Sequence, residues 1–275
     1  MFFSKKIFIT GGLGNQMFQY AFFLSFKEKG IKTKINTFSY TNSTIHNGLE
    51  LERVFDIKVP PKENKIAYLW HKFIYKFCPK GIVYKDKIMT FNPRVYETKC
   101  LYLRGYWMNE EYFKSIEELI RTTFTFHHID NENYLLANII RNNNSISIHI
   151  RRGDYLLNSI YNVCDENYYR KAINLMCEKV NNPIFYVFSD DPEWCANFIT
   201  RFNINYQIIN SNQGKNSYKD MYLISNCNHN IIANSSFSWW GAWLNKNKSK
   251  IVIAPSRWWT NSKKNIWVKD WHYIS

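Results

Sequence analysis

A chain of 275 residues with 45% apolar side chains can bury one large α/β core or two of ordinary size, which excludes a disordered or fibrous polypeptide. Its formal net charge of +14, much of it dispersed lysine, calls for an anionic partner such as a nucleotide, a nucleic acid or an anionic membrane surface, without choosing among them. Six cysteines with no C-x-x-C pair and no histidine at zinc-finger spacing speak against a thiolate metal site, and no apolar run approaches the ~18 residues of a membrane span.

The chain enters a strand, Lys6 to Thr10, within a few residues of its start and without the apolar stretch of a signal peptide, so a cytoplasmic protein with reduced thiols is expected. Sequons at Asn42, Asn143, Asn234 and Asn247, Asn234 lying inside a candidate site, fit a chain that meets no glycosylating lumen. Gly11-Gly12-Leu13-Gly14-Asn15-Gln16 follows the strand, and an apolar helix runs from about Met17 to Lys29. Strand, glycine loop and helix are the opening of a doubly wound half. Met17 stands where a third glycine would, and the strand near Lys32 to Ile35 leads into Asn36 rather than an acid, so a nicotinamide or flavin cofactor is disfavoured. What remains is bare backbone at Gly12 and Gly14 beside a helix N-terminus, with the Asn15 and Gln16 amides able to meet a charged or polyhydroxylated ligand. A tight turn without a ligand is the alternative.

Phe38 to Lys99 carry no assigned chemistry: a turn at Asn47-Gly48, a break at Pro60-Pro61, an aromatic amphipathic helix over Ile66 to Phe77 and a stop at Pro79-Lys80-Gly81. Leu101 to Trp107 reads as a strand, Glu110 to Arg121 and Asn131 to Arg141 as helices, and a domain boundary is expected between Thr122 and Asp130, giving domains 1–125 and 126–275.

The strongest segment follows. In Ser145 to Ile150 the isoleucines alternate with Ser145, Ser147 and His149, the period of a strand, which then ends in Arg151-Arg152-Gly153-Asp154. Two fork-shaped guanidiniums beyond the carboxyl end of a strand suit a phosphate or pyrophosphate, Gly153 permits a sharp turn and Asp154 can fold back on a guanidinium. A solvated Arg-Arg-Gly-Asp turn is the plain alternative. After a helix over Glu166 to Val180 comes an apolar strand, Ile184 to Phe188, and Ser189-Asp190-Asp191-Pro192, where Asp191 is a helix N-cap before a first-turn proline. Asp190 can orient the arginines; a divalent metal on the two carboxylates is the less favoured reading. Ser217-x-x-Asp220 has the spacing of a capping box. Asn230 to Ala233 is a buried strand, and Asn234-Ser235-Ser236 opens a helix whose N–H groups and hydroxyls form a second anion site. Trp239 and Trp240 read as core.

The segments Gly11 to Ala21, His149 to Tyr155, Phe188 to Trp194 and Asn234 to Leu244 together resemble the α-1,2-fucosyltransferases of bacteria and animals, glycosyltransferase family 11. The resemblance implies a GT-B-like α/β fold, two Rossmann-type domains facing a central cleft, with the N-terminal domain on the acceptor side and the C-terminal one binding GDP-fucose. It implies an enzyme of carbohydrate biosynthesis: inverting, metal-independent transfer of L-fucose from GDP-β-L-fucose, a substrate rather than a cofactor, to the 2-hydroxyl of a galactose-terminated oligosaccharide or glycolipid. In the wider group an arginine contacts the β-phosphate, an acid sixteen residues before a serine reads guanine, and that serine touches phosphate; the same spacing here falls on Asp220 and Ser236. The catalytic set on this reading is Arg151, Arg152, Asp154 and Asn15, with Gly12, Gly14, His149, Asp190, Asp220, Ser235 and Ser236 binding the donor, His149 as a buried orienting residue and no metal or cofactor. The general base is not legible. No nucleic acid partner is expected, and the basic charge allows a peripheral contact at the inner face of the cell membrane. Another nucleotide-sugar transferase on the same scaffold and a basic RNA-binding module stay open, the latter without any RNA-binding motif.

Overall fold

The structure is a computed structural model that describes residues 4–41, 46–61, 63–87 and 89–275, without the side chain of Asp154. The sequon at Asn42 lies outside the described residues. The chain divides into two compact units, Met1–His128 and Ile129–Ser275.

The first unit contains β1 (Lys5–Phe8), α1 (Leu13–Glu28), β2 (Thr33–Asn36), α2 (Leu51–Phe55), α3 (Lys65–Phe77), β3 (Val83–Lys85), β4 (Tyr102–Arg104) and α4 (Glu117–Thr123). Its strands form a parallel sheet in the order β2-β1-β4-β3. Helix α1 starts four residues before the expected Met17, because extended Gly12 is already its N-cap and Gly14 sits in the first turn. Gly11 makes the turn into it at φ 84°, where a Cβ would also lie 2.7 Å from Asn15 Nδ2. Met17, Phe18, Ala21, Phe22 and Phe26 bury the helix completely along one side, Phe22 stacking on Trp107 at 4.0 Å. Strand β4 stops at Arg104 rather than Trp107, because Trp107 has a left-handed backbone at φ 56° and donates its N–H to the Asp86 carboxylate instead of to a neighbouring strand. The expected helix over Glu110 to Arg121 is two 3-10 turns, Glu110–Tyr112 and Lys114–Ile116, before α4. The demand of the core overrides helix propensity there: Tyr112 and Phe113 are both drawn inside, and Phe113 leaves helical geometry at φ −132°.

The second unit contains α5 (Asn131–Arg141), β5 (Ser145–Ile150), α6 (Glu166–Lys179), β6 (Ile184–Ser189), α7 (Pro192–Ile199), β7 (Asn205–Ile209), α8 (Tyr218–Asn226), β8 (His229–Ile231), α9 (Ser236–Leu244), β9 (Val252–Pro255) and β10 (His272–Ile274). The sheet is parallel throughout, in the order β10-β9-β8-β5-β6-β7. Both faces of β5 are buried, as parallel sheets require. Ile146, Ile148 and Ile150 join a core with Tyr168, Tyr169, Ile173, Phe185 and Val187. On the opposite face Ser147 Oγ accepts from Asn230 Nδ2 at 2.8 Å and Ser145 Oγ from Asn228 N at 2.9 Å, so both serine hydroxyls entering the interior find partners. Trp239 and Trp240 are fully buried, edge to face at 5.1 Å, which is the core role expected of them.

The winding order fixes where a ligand can sit. From β5 the chain moves one way to β6 and β7, then returns to place β8 on the other flank of β5, so the crevice of this sheet opens between the carboxyl ends of β5 and β8. In the first unit the same reversal falls between β1 and β4.

Candidate functional site

Arg151 and Arg152 leave the carboxyl end of β5, and the residues that follow the neighbouring β6 hold them. Arg151 Nη1 lies 3.0 Å from Asp190 Oδ2, and the other oxygen of Asp190 accepts from Arg152 N at 2.9 Å. One carboxylate thus fixes both the first side chain and the backbone of the second residue. Arg152 Nε donates to Asp191 Oδ2 at 3.0 Å, while its guanidinium lies 3.7 Å from the centroid of the Trp194 ring. Charge on one edge and a π face beneath leave the fork a single orientation. Asp191 also caps α7, its Oδ1 accepting from Trp194 N at 3.1 Å. The capping role expected of Asp191 is present, and with it the grip on an arginine that the Asp-Asp pair was able to supply. Asp-Pro-x-Trp was the available signal, because a helix opening at Pro192 carries residue 194 back over its own cap.

The chain turns at Gly153 into a 3-10 turn, Gly153–Leu157, as expected, and the glycine has a second reason. Its φ is not positive; a Cβ there would lie 2.5 Å from Asp190 Oδ2, so glycine is what lets the carboxylate approach. The side chain of Asp154 lies outside the described residues.

His149 is buried beside this pair, its ring tilted against Phe237 at 5.7 Å and its Nδ1 without a hydrogen-bond partner among the described residues. Burial, reinforced by the positive Arg151, lowers its pKa to about 3. The imidazole is therefore neutral near pH 7, a single donor and a single acceptor rather than a cation.

Across the switch point, Ser235 is the N-cap of α9 and its hydroxyl accepts from Phe237 N, with half-buried Ser236 at the first helical position. The Ser235 hydroxyl thus serves its own helix. Asn234 is buried with Nδ2 donating to Tyr161 O and Trp258 O, so this sequon asparagine is part of the fold.

The capping box at Ser217 and Asp220 is not formed: Ser217 has helical backbone angles and its side chain makes no cap hydrogen bond to α8. Asp220 instead accepts from Asn212 Nδ2 at 2.9 Å, and Asn212 is paired in turn with Asn133. Burial is the larger influence and raises the Asp220 carboxyl to about 7, the Asn212 hydrogen bond opposing it. A proton held so near neutrality marks a carboxylate short of partners.

A cavity of about 370 Å³ opens in this unit, with Arg151, Arg152, Tyr155, Tyr161, Trp194 and Asn234 in its wall. That is within the range of small-molecule sites. Among the described residues no three histidine, cysteine, aspartate or glutamate side chains gather as a metal ion would need.

The glycine loop of the first unit is internally tied. Gln16 donates to Gly11 O at 3.0 Å and Gly48 O at 2.8 Å and accepts from Glu50 N at 2.9 Å. Its amide is therefore not the ligand-facing group expected of it. Asn15 differs, since its Oδ1 is buried and has no partner among the described residues. Gly12 and Gly14 supply the N-cap and first turn of α1.

Paired parallel α/β units of this kind define the GT-B class of glycosyltransferases. A mutant of Arabidopsis thaliana FUT1 in complex with GDP shares the fold, with a TM-score of 0.52 and 12% identity over 93% of this chain and 71% of that one. The chain belongs to glycosyl transferase family 11, whose model matches residues 4–275. It is 35% identical over 269 residues to an alpha-1,2-colitosyltransferase of Escherichia coli, covering 94% of this chain and 93% of the relative. Against galactoside alpha-(1,2)-fucosyltransferase 1 of Mus musculus it is 26% identical over 249 residues, 85% of this chain and 61% of that protein.

Proposed function

We propose that this glycosyltransferase moves L-fucose from GDP-β-L-fucose to the 2-hydroxyl of a terminal β-galactoside. The observation that carries the reading is the pair Arg151 and Arg152, held by Asp190 and Asp191 at the switch point of the second sheet. In one displacement the acceptor oxygen forms its bond to fucose C1 on the face opposite GDP. The C1–O bond to the β-phosphate breaks and its electrons stay on GDP; the hydroxyl proton leaves to a base that no residue here is assigned to. The β-linked donor becomes an α-linked product. Charge grows on the leaving diphosphate, and guanidiniums already locked in place stabilise it without reorganising, the kind of contact whose loss typically costs ~10²–10³ in rate. N–H groups at the start of α9, around Ser235 and Ser236, add to that field.

Asp220 as a carboxylate can accept both the N1–H and the 2-amino hydrogens of guanine, a pattern adenine does not offer. Neutral His149 acts from within the sheet as a buried residue that orients the donor site, and Asn15 can hold a sugar hydroxyl through its orphan oxygen. With two arginines at the diphosphate, transfer is expected to persist in excess EDTA; loss restored by manganese would make Asp190 a metal ligand.

A second reading has specific support. Colitose is L-fucose without its 3-hydroxyl, and a relative 35% identical to this chain is named for it. Competing GDP-fucose against GDP-colitose with lactose or lacto-N-biose as acceptor, and reading the product by NMR, decides between them. Preference for the colitosyl donor replaces the sugar; a β-linked product overturns single displacement; linkage to a hydroxyl other than galactose O2 overturns the acceptor position.

A further inference from the structure

Helix α3 presents three faces. His71 and Ile74 turn into the core of the first unit, where Tyr68 and Tyr75 pack on Phe8, Phe38, Val83 and Tyr102. Ile66, Leu69, Trp70, Phe73 and Phe77, spaced i, i+3, i+4, i+7 and i+11, form a stripe turned away from that core, with exposures of 81, 53, 52, 47 and 61%. Lys65, Lys72 and Lys76 lie along one edge of the stripe at 100° per residue, and Lys80 follows the helix; all four are exposed and none is in a salt bridge among the described residues. The nearby acids are engaged elsewhere, Glu63 by His71 and Asn36, and buried Asp86 by Trp107 N.

A contiguous apolar stripe on a solvent-facing helix marks an interaction surface, and its composition says of what kind. Aromatic rings beside lysines, with no acid in the helix, match a lipid interface, where rings sit at headgroup depth and ammonium groups reach the phosphates. We propose that α3 docks this protein onto an anionic lipid surface, lying in the interface plane. No helix among the described residues is long and apolar enough to cross a membrane, so the contact is peripheral. Charge complementarity favours lipid over a second copy: two chains each carrying a formal +14 repel, whereas an anionic leaflet attracts the same lysines.

The test is co-sedimentation of the full chain with vesicles of phosphatidylcholine alone and of equal parts phosphatidylcholine and phosphatidylglycerol, at low and high salt. Binding to the anionic vesicles only, weakened by salt, is expected. Leu69→Gln/Phe73→Gln should reduce it roughly tenfold or more, and Lys72→Glu/Lys76→Glu by roughly fivefold or more per lysine. Both variants should keep the wild-type melting temperature and the wild-type turnover on a soluble acceptor, which separates docking from folding and from transfer. Wild-type protein that stays in the supernatant, binds neutral vesicles equally well, or binds as tightly when Leu69 and Phe73 are replaced overturns the proposal. A dimer in sedimentation velocity that the apolar variant abolishes, without vesicle binding, assigns the face to a second copy and overturns it as well.

Discussion

The two sheets carry the same kind of switch point and furnish it in opposite ways. After β1, the polar side chains close on the loop itself: Gln16 ties Gly11 to the Gly48 to Glu50 turn, Gln19 ties Thr10 to Gly105, and the Tyr40 hydroxyl caps Gly11 O. After β5, the guanidiniums of Arg151 and Arg152 lie against Asp190 and Asp191, and both side chains keep partial exposure, 31% and 22%. A neutral amide turned onto backbone groups carries no net charge, whereas two guanidiniums side by side keep a positive field at a partly exposed strand end. The first switch point is therefore mainly architecture, and the second keeps positive charge at a partly exposed strand end, which suits the proposed diphosphate.

Breaking each side should separate the two. Arg151→Ala and Arg152→Ala are expected to lower transfer from GDP-fucose, at least one of them a hundredfold or more by the usual worth of a transition-state donor, with little change in melting temperature. Near wild-type turnover in both would remove the diphosphate role. Gln16→Ala should do the reverse: with the Glu50 N–H left unpaired in a buried position, stability should fall by about 1–3 kcal/mol, seen as a lower melting temperature, while turnover of the folded fraction holds.

Asp220 sharpens the contrast through pH. Its carboxyl, raised to about 7, is mostly protonated below that value, and in the proposed guanine role it would accept both hydrogens only once ionised. GDP affinity should therefore rise about tenfold from one pH unit below 7 to one above, the ratio of ionised fractions, and Asp220→Asn should flatten the profile and bind more weakly above neutrality. In the unliganded protein the sign is opposite. The folded state holds this proton more tightly than the unfolded chain, so the stability that Asp220 contributes is full at low pH and declines as pH rises from the ordinary carboxylate range through 7. A melting-temperature series for wild type and Asp220→Asn measures it. The smallest effect belongs to Asp191. Asp191→Asn keeps an oxygen for Trp194 N and should lose only the charged grip on Arg152, a drop in turnover of roughly tenfold or less at near-constant stability, whereas Asp191→Ala should also lose ~1 kcal/mol of cap. Equal melting temperatures for the two would show that the cap contributes nothing.

Local chemistry made much of this readable in advance. Alternation in Ser145 to Ile150, the Asp191-Pro192 helix start, the Asn131 to Arg141 helix and the buried tryptophans of α9 follow from periodicity and capping alone, and the four motif segments were enough to point to the family. The misreadings are places where packing decides: Trp107, bound to Asp86, leaves β4, burial of Tyr112 and Phe113 breaks a helix, and Asp220 turns from a cap to Asn212. Strands β7, β9 and β10 and helix α2 went unread because short segments owe their form to the neighbours they pair with or pack on.

By itself, then, the order of residues determined the longer strands and helices that carry a clear period or cap, that two arginines follow a strand, and which family the chain belongs to, since each rests on patterns within short stretches of chain. Tertiary structure alone decided that Asp190 and Asp191 divide the two arginines between them, that Gly153 is there for space, that Gln16 is architecture while Asp220 is left short of partners, and that the stripe on α3 faces outward. Those outcomes turn on which groups meet across tens of residues of sequence and how much water remains between them, and both are properties of the packed chain.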